Sequence, residues 1–280
     1  MFERFHRSVA LVKASWAVLR ADKELLVFPA VSFVLTVIVS ISFLVPFYLT
    51  GALEKAADSQ LDPVAIVLAF LYYLVTYTVI IFCNTALVGA AMIRLDGGDP
   101  TLRDGFRIAF SRMPTIIGYA LVSATVGMIL RAISERGGIV GSIVASLIGF
   151  AWGVATFLVI PILVVEKVGP VAAIKRSAGL LRQTWGEQLV GNVGIGLVFG
   201  LIAFLAILIG GGIIIVLAMI TPVLGIVGVV LLVLVVAAIV LIGSALGGIF
   251  TASLYRFTTK GDGGAMFPQA TLQGAFRQKR

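Results

Sequence analysis

Residues 188–255 contain no charged side chain. That single run constrains the chain more than any motif in it. A helix that crosses about 30 Å of hydrocarbon needs about 20 apolar residues. The run therefore holds two such helices, with a turn near Gly210-Gly211-Gly212 or at Thr221-Pro222. On length alone it has room for three. Within lipid every backbone N–H and C=O must find a partner inside the chain, so helices are the expected spanning element. Four further apolar runs lie at 25–50, 64–93, 114–130 and 139–165. Composition agrees: 60% of the 280 residues are hydrophobic and 12% charged. A soluble domain carries about 25% charged residues. An ordinary soluble enzyme and a disordered chain are excluded on that ground.

Charge placement decides the count of spans. Five Lys and Arg fall in 1–24, four in 94–113, four in 166–188 and five in 256–280. The intervening loops hold only Lys55, Arg131 and Arg136. The positive-inside rule puts the basic segments in the cytoplasm. Three helices in the last run would export the basic tail. The reading is six spans, at about 25–50, 64–93, 114–130, 139–165, 189–218 and 223–255, with both termini cytoplasmic. The net charge of +8 then belongs to topology and anionic lipid headgroups, not to nucleic acid. The N-terminus has charges at Glu3, Arg4, Arg7 and Lys13 and no compact apolar stretch, unlike a signal peptide.

The basic segments read as amphipathic helices at about 2–20, 101–112, 171–185 and 269–277. In the first, Phe2, Phe5, Val9, Val12, Trp16 and Leu19 recur at gaps of three and four. One apolar stripe of that kind suits the headgroup plane, with Trp16 at the interface. A short helix packed on a protein partner is the alternative. Candidate lipid-contacting residues are Arg4, Arg7, Lys13, Trp16, Arg107, Arg112, Lys175, Arg176, Arg182 and Trp185. Helix starts are signalled at Asp62-Pro63, at Asp99-Pro100 with the Thr101/Asp104 pair, and at Gly169-Pro170.

The chain also matches itself. Residues 7–16 and 176–185 share R-S-x-x-L-[LV]-[KR]-x-[ST]-W without a gap. Residues 101–107 and 271–277 share T-L-x-x-[AG]-F-R at almost the same offset. Repetition at one offset indicates a duplicated unit. The expected architecture is all-α, a single integral membrane domain over 1–280. It comprises three membrane hairpins, each preceded by a cytoplasmic amphipathic helix, and a closing helix in the tail.

Small residues at fourfold spacing let helix backbones approach closely in lipid. Gly141, Ala145, Gly149 and Gly153 do so in span four, Gly196 and Gly200 in span five, and Gly243 and Gly247 in span six. They serve packing within one chain or a seam between copies. No Asp, Glu, Lys or Arg lies in a span interior, which argues against an ion-coupled pump. The polar candidates in the spans are Asn84 and Asn192, with Thr76, Thr85, Ser123 and Thr125; Asn84 is expected to hydrogen-bond a neighbouring helix. Cys83, the only cysteine, reads as a small buried hydrophobe, and His6 as an interfacial side chain. With one Cys and one His there is neither a disulfide framework nor a metal-ligand set, and no cofactor motif occurs. Glu166 is the best-placed loop acid. Lys167, Lys175 and Arg176 follow it, so an ion pair bracing the loop is expected rather than general-acid chemistry.

The segment PILVVEKVGPVAAIKRSAGLLRQTW, 161–185, carries a likeness. Its elements are Pro161, Val164, Glu166, Gly169, Pro170, Ala173, Arg176, Ser177, Leu180 and Trp185. With the FPA near residue 28 and the L-x-G-A-F-R ending, it resembles a prokaryotic family of six-helix integral membrane proteins of unknown function. More distantly it resembles the membrane domain attached to some glycerophosphodiester phosphodiesterases. The resemblance implies a multi-pass protein of a prokaryotic cytoplasmic membrane and no established activity. The phosphodiesterase catalytic domain is absent from this sequence. Three functions follow: a non-enzymatic scaffold or accessory module that contacts anionic lipid or a cytoplasmic partner; a transporter or channel for a neutral or lipid-like substrate; and an intramembrane enzyme using Glu166 and the Arg176-Ser177 region. The first is preferred.

Overall fold

The computed structural model describes residues 2–49, 63–185, 195–264 and 267. Every element among the described residues is helical and none is a strand. In chain order they are α1 (Phe2–Ala21), a 3-10 turn (Lys23–Leu26), α2 (Val27–Leu49), α3 (Pro63–Leu95), α4 (Leu102–Ser111) and α5 (Met113–Arg136). Then come α6 (Gly138–Ala155), α7 (Val159–Val165), α8 (Pro170–Trp185), α9 (Ile195–Ile220) and α10 (Pro222–Lys260). Six stretches are long and apolar enough to cross a membrane: 23–49, 63–95, 113–136, 138–165, 198–220 and 222–260. The chain is a multi-pass membrane protein by that measure. The closing helix expected at 269–277 lies outside the described residues.

The long charge-free run forms two helices, not three. Gly210, Gly211 and Gly212 lie inside α9, and the break falls at Thr221-Pro222. Proline lacks the N–H that a continuous helix would use there. The Thr221 hydroxyl accepts the Leu224 N–H at 3.3 Å, and Pro222 opens the new helix. Span four differs from a single rod. It is broken at 156–158 between α6 and α7, three residues before Pro161.

Consecutive apolar helices pack in pairs: α2 on α3, α5 on α6, and α9 on α10. The α3 helix is the hub, touching α2, α4, α5, α7 and α10. The buried side chains gather at one end of the bundle. They run from Ile81 to Leu95 on α3, from Ile116 to Ala124 on α5, from Val159 to Leu163 on α7, and from Ala245 to Tyr255 on α10. Phe28 at the start of α2 is fully buried among them. Toward the other end the helices expose apolar surface, including Ile41, Leu44, Val67, Leu71, Ile139, Leu147, Val216 and Val230. Lipid offers such side chains the same apolar surroundings as a core, so nothing drives them together.

The short charged helices sit at the buried end. The α4 helix packs on α3, α8 on α5, α6 and α7, and α1 on α10. Each thus packs on the pair that precedes it, and the order closes on itself because α1 takes the last pair.

Candidate membrane-surface site

The close approach of α4 to the bundle rests on one residue. A Cβ on Gly105 would lie 2.4 Å from Phe28 Cζ and 2.9 Å from the Ala86 carbonyl. Only glycine fits there. Ala109, one turn on, is also fully buried. Phe106 then meets Phe28 edge-on at 5.1 Å between ring centroids, and Phe82 meets Phe110 at 4.9 Å. The N-cap of α4 is Thr101, not Asp99. Its hydroxyl accepts the Asp104 N–H at 3.2 Å, and the Asp104 carboxylate accepts the Thr101 N–H at 3.1 Å. The Thr101 hydroxyl also donates to that carboxylate at 2.6 Å, and this bond, with the one from the Thr101 N–H, holds the Asp104 carboxyl below the ordinary carboxylate range. Asp99 instead pairs with Arg94 at 3.2 Å. Glu24, from the 3-10 turn, accepts the Leu102 N–H at 3.2 Å and ties α4 to the start of α2.

The α8 helix is docked by Ser177. Breaking span four frees the Leu158 N–H, and the fully buried Ser177 hydroxyl accepts it at 3.0 Å. Glu166 pairs with Arg176 at 3.2 Å and accepts the Tyr255 hydroxyl at 3.0 Å. The loop brace expected at Glu166 is present, and Tyr255 of α10 is a partner that the sequence did not signal. Arg112, at the start of α5, donates to the Val164 carbonyl at 3.2 Å. Of the ten lipid candidates, Arg112 and Arg176 are therefore engaged within the protein, as is Arg107 through Asp104.

Two arginines play the same part at two span ends. Arg94, in the last turn of α3, reaches Asp99 in the following turn and donates to the Ala21 carbonyl of α1 at 3.0 Å. Arg256, near the end of α10, pairs with Asp262 in its following turn and with Asp96 after α3. The bond from Arg256 keeps the Asp262 carboxyl below its ordinary range. Ser253 donates to the Gly263 carbonyl at 2.7 Å, which folds the chain back over Leu95. Gly264 has φ +96 and stands against Leu95, so a side chain there is excluded twice.

The outward faces carry basic and apolar side chains together. On α1 the buried face is Ala14, Ser15, Val18 and Leu19, while Trp16 is 47% exposed beside exposed Lys13 and Arg20. This differs from one stripe serving one surface. Leu19 of the predicted stripe packs inward and Trp16 points outward, because α1 lies against α10. On α4 the exposed set is Arg103, Arg107 and Phe110, with Arg107 also bonded to Asp104. On α8 it is Val171, Ala172, Lys175, Arg176 and Arg182, with Arg176 also paired to Glu166. Arg4 and Arg7 lie on α1 and Trp185 ends α8; their side chains lie outside the described residues.

The small-residue candidates separate by contact. A Cβ on Gly141 would meet the Ile133 carbonyl at 2.4 Å, and one on Gly243 would meet Phe199 at 2.9 Å. Ala145 is buried. A Cβ on Gly149 would make only an ordinary 3.6 Å contact with Leu130. Gly153, Gly200 and Gly247 face open space. Gly196 lies in the first turn of α9. The tight approach at Gly225 has no fourfold spacing to announce it, whereas Gly248 follows Ser244 by four and Gly105 precedes Ala109 by four. Asn84 is half-buried, and no hydrogen bond from it to a neighbouring helix is found among the described residues. Thr85 bonds back to the Ile81 carbonyl at 2.7 Å. Asn192 lies outside the described residues. Cys83 is buried.

No curated protein and no solved structure matches the chain. The distant likeness to the phosphodiesterase membrane domain finds no support in these comparisons. A family model does match, over residues 63–265, from α3 through α10. That stretch contains the Glu166–Arg176–Tyr255 cluster, the Ser177 latch and the Arg94 and Arg256 braces. The chain belongs to the family described as "Family of unknown function (DUF6159)".

Proposed function

We propose that this protein is a non-enzymatic membrane scaffold or accessory module whose charged helices lie in the cytoplasmic headgroup layer and contact anionic lipid. In this reading the six spans form three in–out–in hairpins, both termini are cytoplasmic, and the membrane is the cytoplasmic membrane of a prokaryote. The observation that carries it is the pairing of exposed cations with exposed apolar side chains at the buried end of the bundle. Lys13 and Arg20 flank Trp16, and Arg103 and Arg107 accompany Phe110. Each basic residue near an anionic surface contributes about 1 kcal/mol of attraction. The residues that an enzymatic reading would use support scaffolding instead. Ser177 is buried and bonded to Leu158, and Glu166 is held between Arg176 and Tyr255.

The test uses full-length protein with Trp152 and Trp185 replaced by Phe. Reconstituted with brominated lipid, Trp16 is expected to be quenched more by brominated phosphatidylglycerol than by brominated phosphatidylcholine. High salt should remove the difference, because screening at about 1 M salt confines surface charge to about 3 Å. Equal quenching by the two lipids at low salt would sink the proposal.

A further inference from the structure

Asp22 joins α1 to the first span and is only 7% exposed. It ends a helix that packs on α10 and begins the 3-10 turn that leads into α2. Its Oδ2 is buried without a hydrogen-bond partner, and so is the Ser15 hydroxyl two turns back on the same face of α1. Burying a carboxylate with an unpaired oxygen costs far more than burying the protonated carboxyl. The charge of Arg94 on α3 and the Glu24 N–H, which bonds the carboxyl, favour the ionised form, but the Arg94 terminal nitrogens are held elsewhere and its buried Nε has no partner. Arg94 of α3 bonds the Ala21 carbonyl beside Asp22, the Gly98 carbonyl, and the exposed carboxylate of Asp99. The other charges acting on Asp22 are acidic: Glu24 in the 3-10 turn and Asp99 after α3. On α10, Arg256 and Lys260 face Asp96 and Asp262. Burial, the largest of these influences, pushes the Asp22 carboxyl above its ordinary range.

We propose that Asp22 is a proton-operated latch on α1, which stays docked on α10 when the carboxyl is protonated and loosens when it ionises. The sign follows from linkage. The released helix has an ordinary Asp22 and the docked helix a raised one, so docking takes up a proton. Docking is tightest below the ordinary carboxylate value and weakens as pH rises toward the raised value. Above that it weakens no further. The latch rests on the docked geometry alone and holds whether or not Trp16 contacts lipid.

Hydrogen exchange on the full-length reconstituted protein tests this, with α1 amide rates corrected for intrinsic exchange at each pH. In the wild type the opening constant of amides 14–22 is expected to rise about tenfold per pH unit across that window and then level off. Asp22→Asn should hold the acid-limit protection at every pH. Asp99→Asn should protect α1 at neutral pH, because it leaves Arg94 to pair with Asp22. A flat wild-type profile, or the same slope in Asp22→Asn, overturns the latch. Should Asp22→Asn fail to fold, the wild-type slope and the Asp99→Asn shift decide: no shift in Asp99→Asn also overturns it.

Discussion

Gly105 and Gly153 show why a glycine in this chain cannot be read from its spacing. Both sit in helices, and each has a small residue four positions away, Ala109 for Gly105 and Gly149 for Gly153. Yet Gly105 is pressed against Phe28 and the Ala86 carbonyl, while Gly153 meets nothing. Gly105→Ala should overpack the α2–α3–α4 junction and cost about 1–3 kcal/mol. Gly153→Ala should be neutral or stabilising by up to about 1 kcal/mol, the helix propensity difference. Thermal unfolding of the two variants in the same detergent checks the contrast, and equal midpoints would refute it. The same holds for Ser177. Its place in R-S-x-x-L looked like part of an amphipathic pattern, but its function is to satisfy an N–H released by a break nineteen residues earlier.

Among the elements, α4 and α8 are secured by different devices, which makes their responses separable. The α4 helix has a reciprocal cap between Thr101 and Asp104. Thr101→Ala should cost about 1 kcal/mol, visible as faster exchange of α4 amides while α8 is unchanged. Acid should mimic part of that loss. Asp104 titrates below its ordinary value when folded, so its stabilisation is complete above the ordinary carboxylate pKa of about 3.9. It is lost as pH falls below that value and through the depressed one. Asp104→Asn should remove this acid sensitivity from α4, and persistence of the full effect in that variant would count against the assignment. The α8 helix has no acidic residue in its first turn; it leans on Ser177 and on Glu166.

At the scale of the molecule, most of the buried surface, the ion pairs joining separate spans and most of the exposed cations lie toward one end; among the described residues Arg131 and Arg136, at the far end of α5, are the exceptions. The proposed orientation places that end in the cytoplasm. A reporter active only outside the cytoplasm, fused after Arg280, should stay silent. The same reporter placed in the loop at Thr221 should be active. A silent reporter at Thr221 or an active one at Arg280 would overturn the six-span orientation. Helicity and the six apolar stretches were legible in the sequence, because lipid leaves the backbone no other satisfied state and the length of a span is set by the bilayer. The Thr221-Pro222 turn was one of two candidates, and the tertiary structure selected it through a cap and a proline. What no sequence pattern displayed was which helix touches which. The closure of α1 on α10, the bond from Tyr255 to Glu166 and the bridge from Arg256 to Asp96 link residues 89 and more positions apart. Apolar periodicity records that a face is buried but not against what, and only the packed bundle brings those partners together.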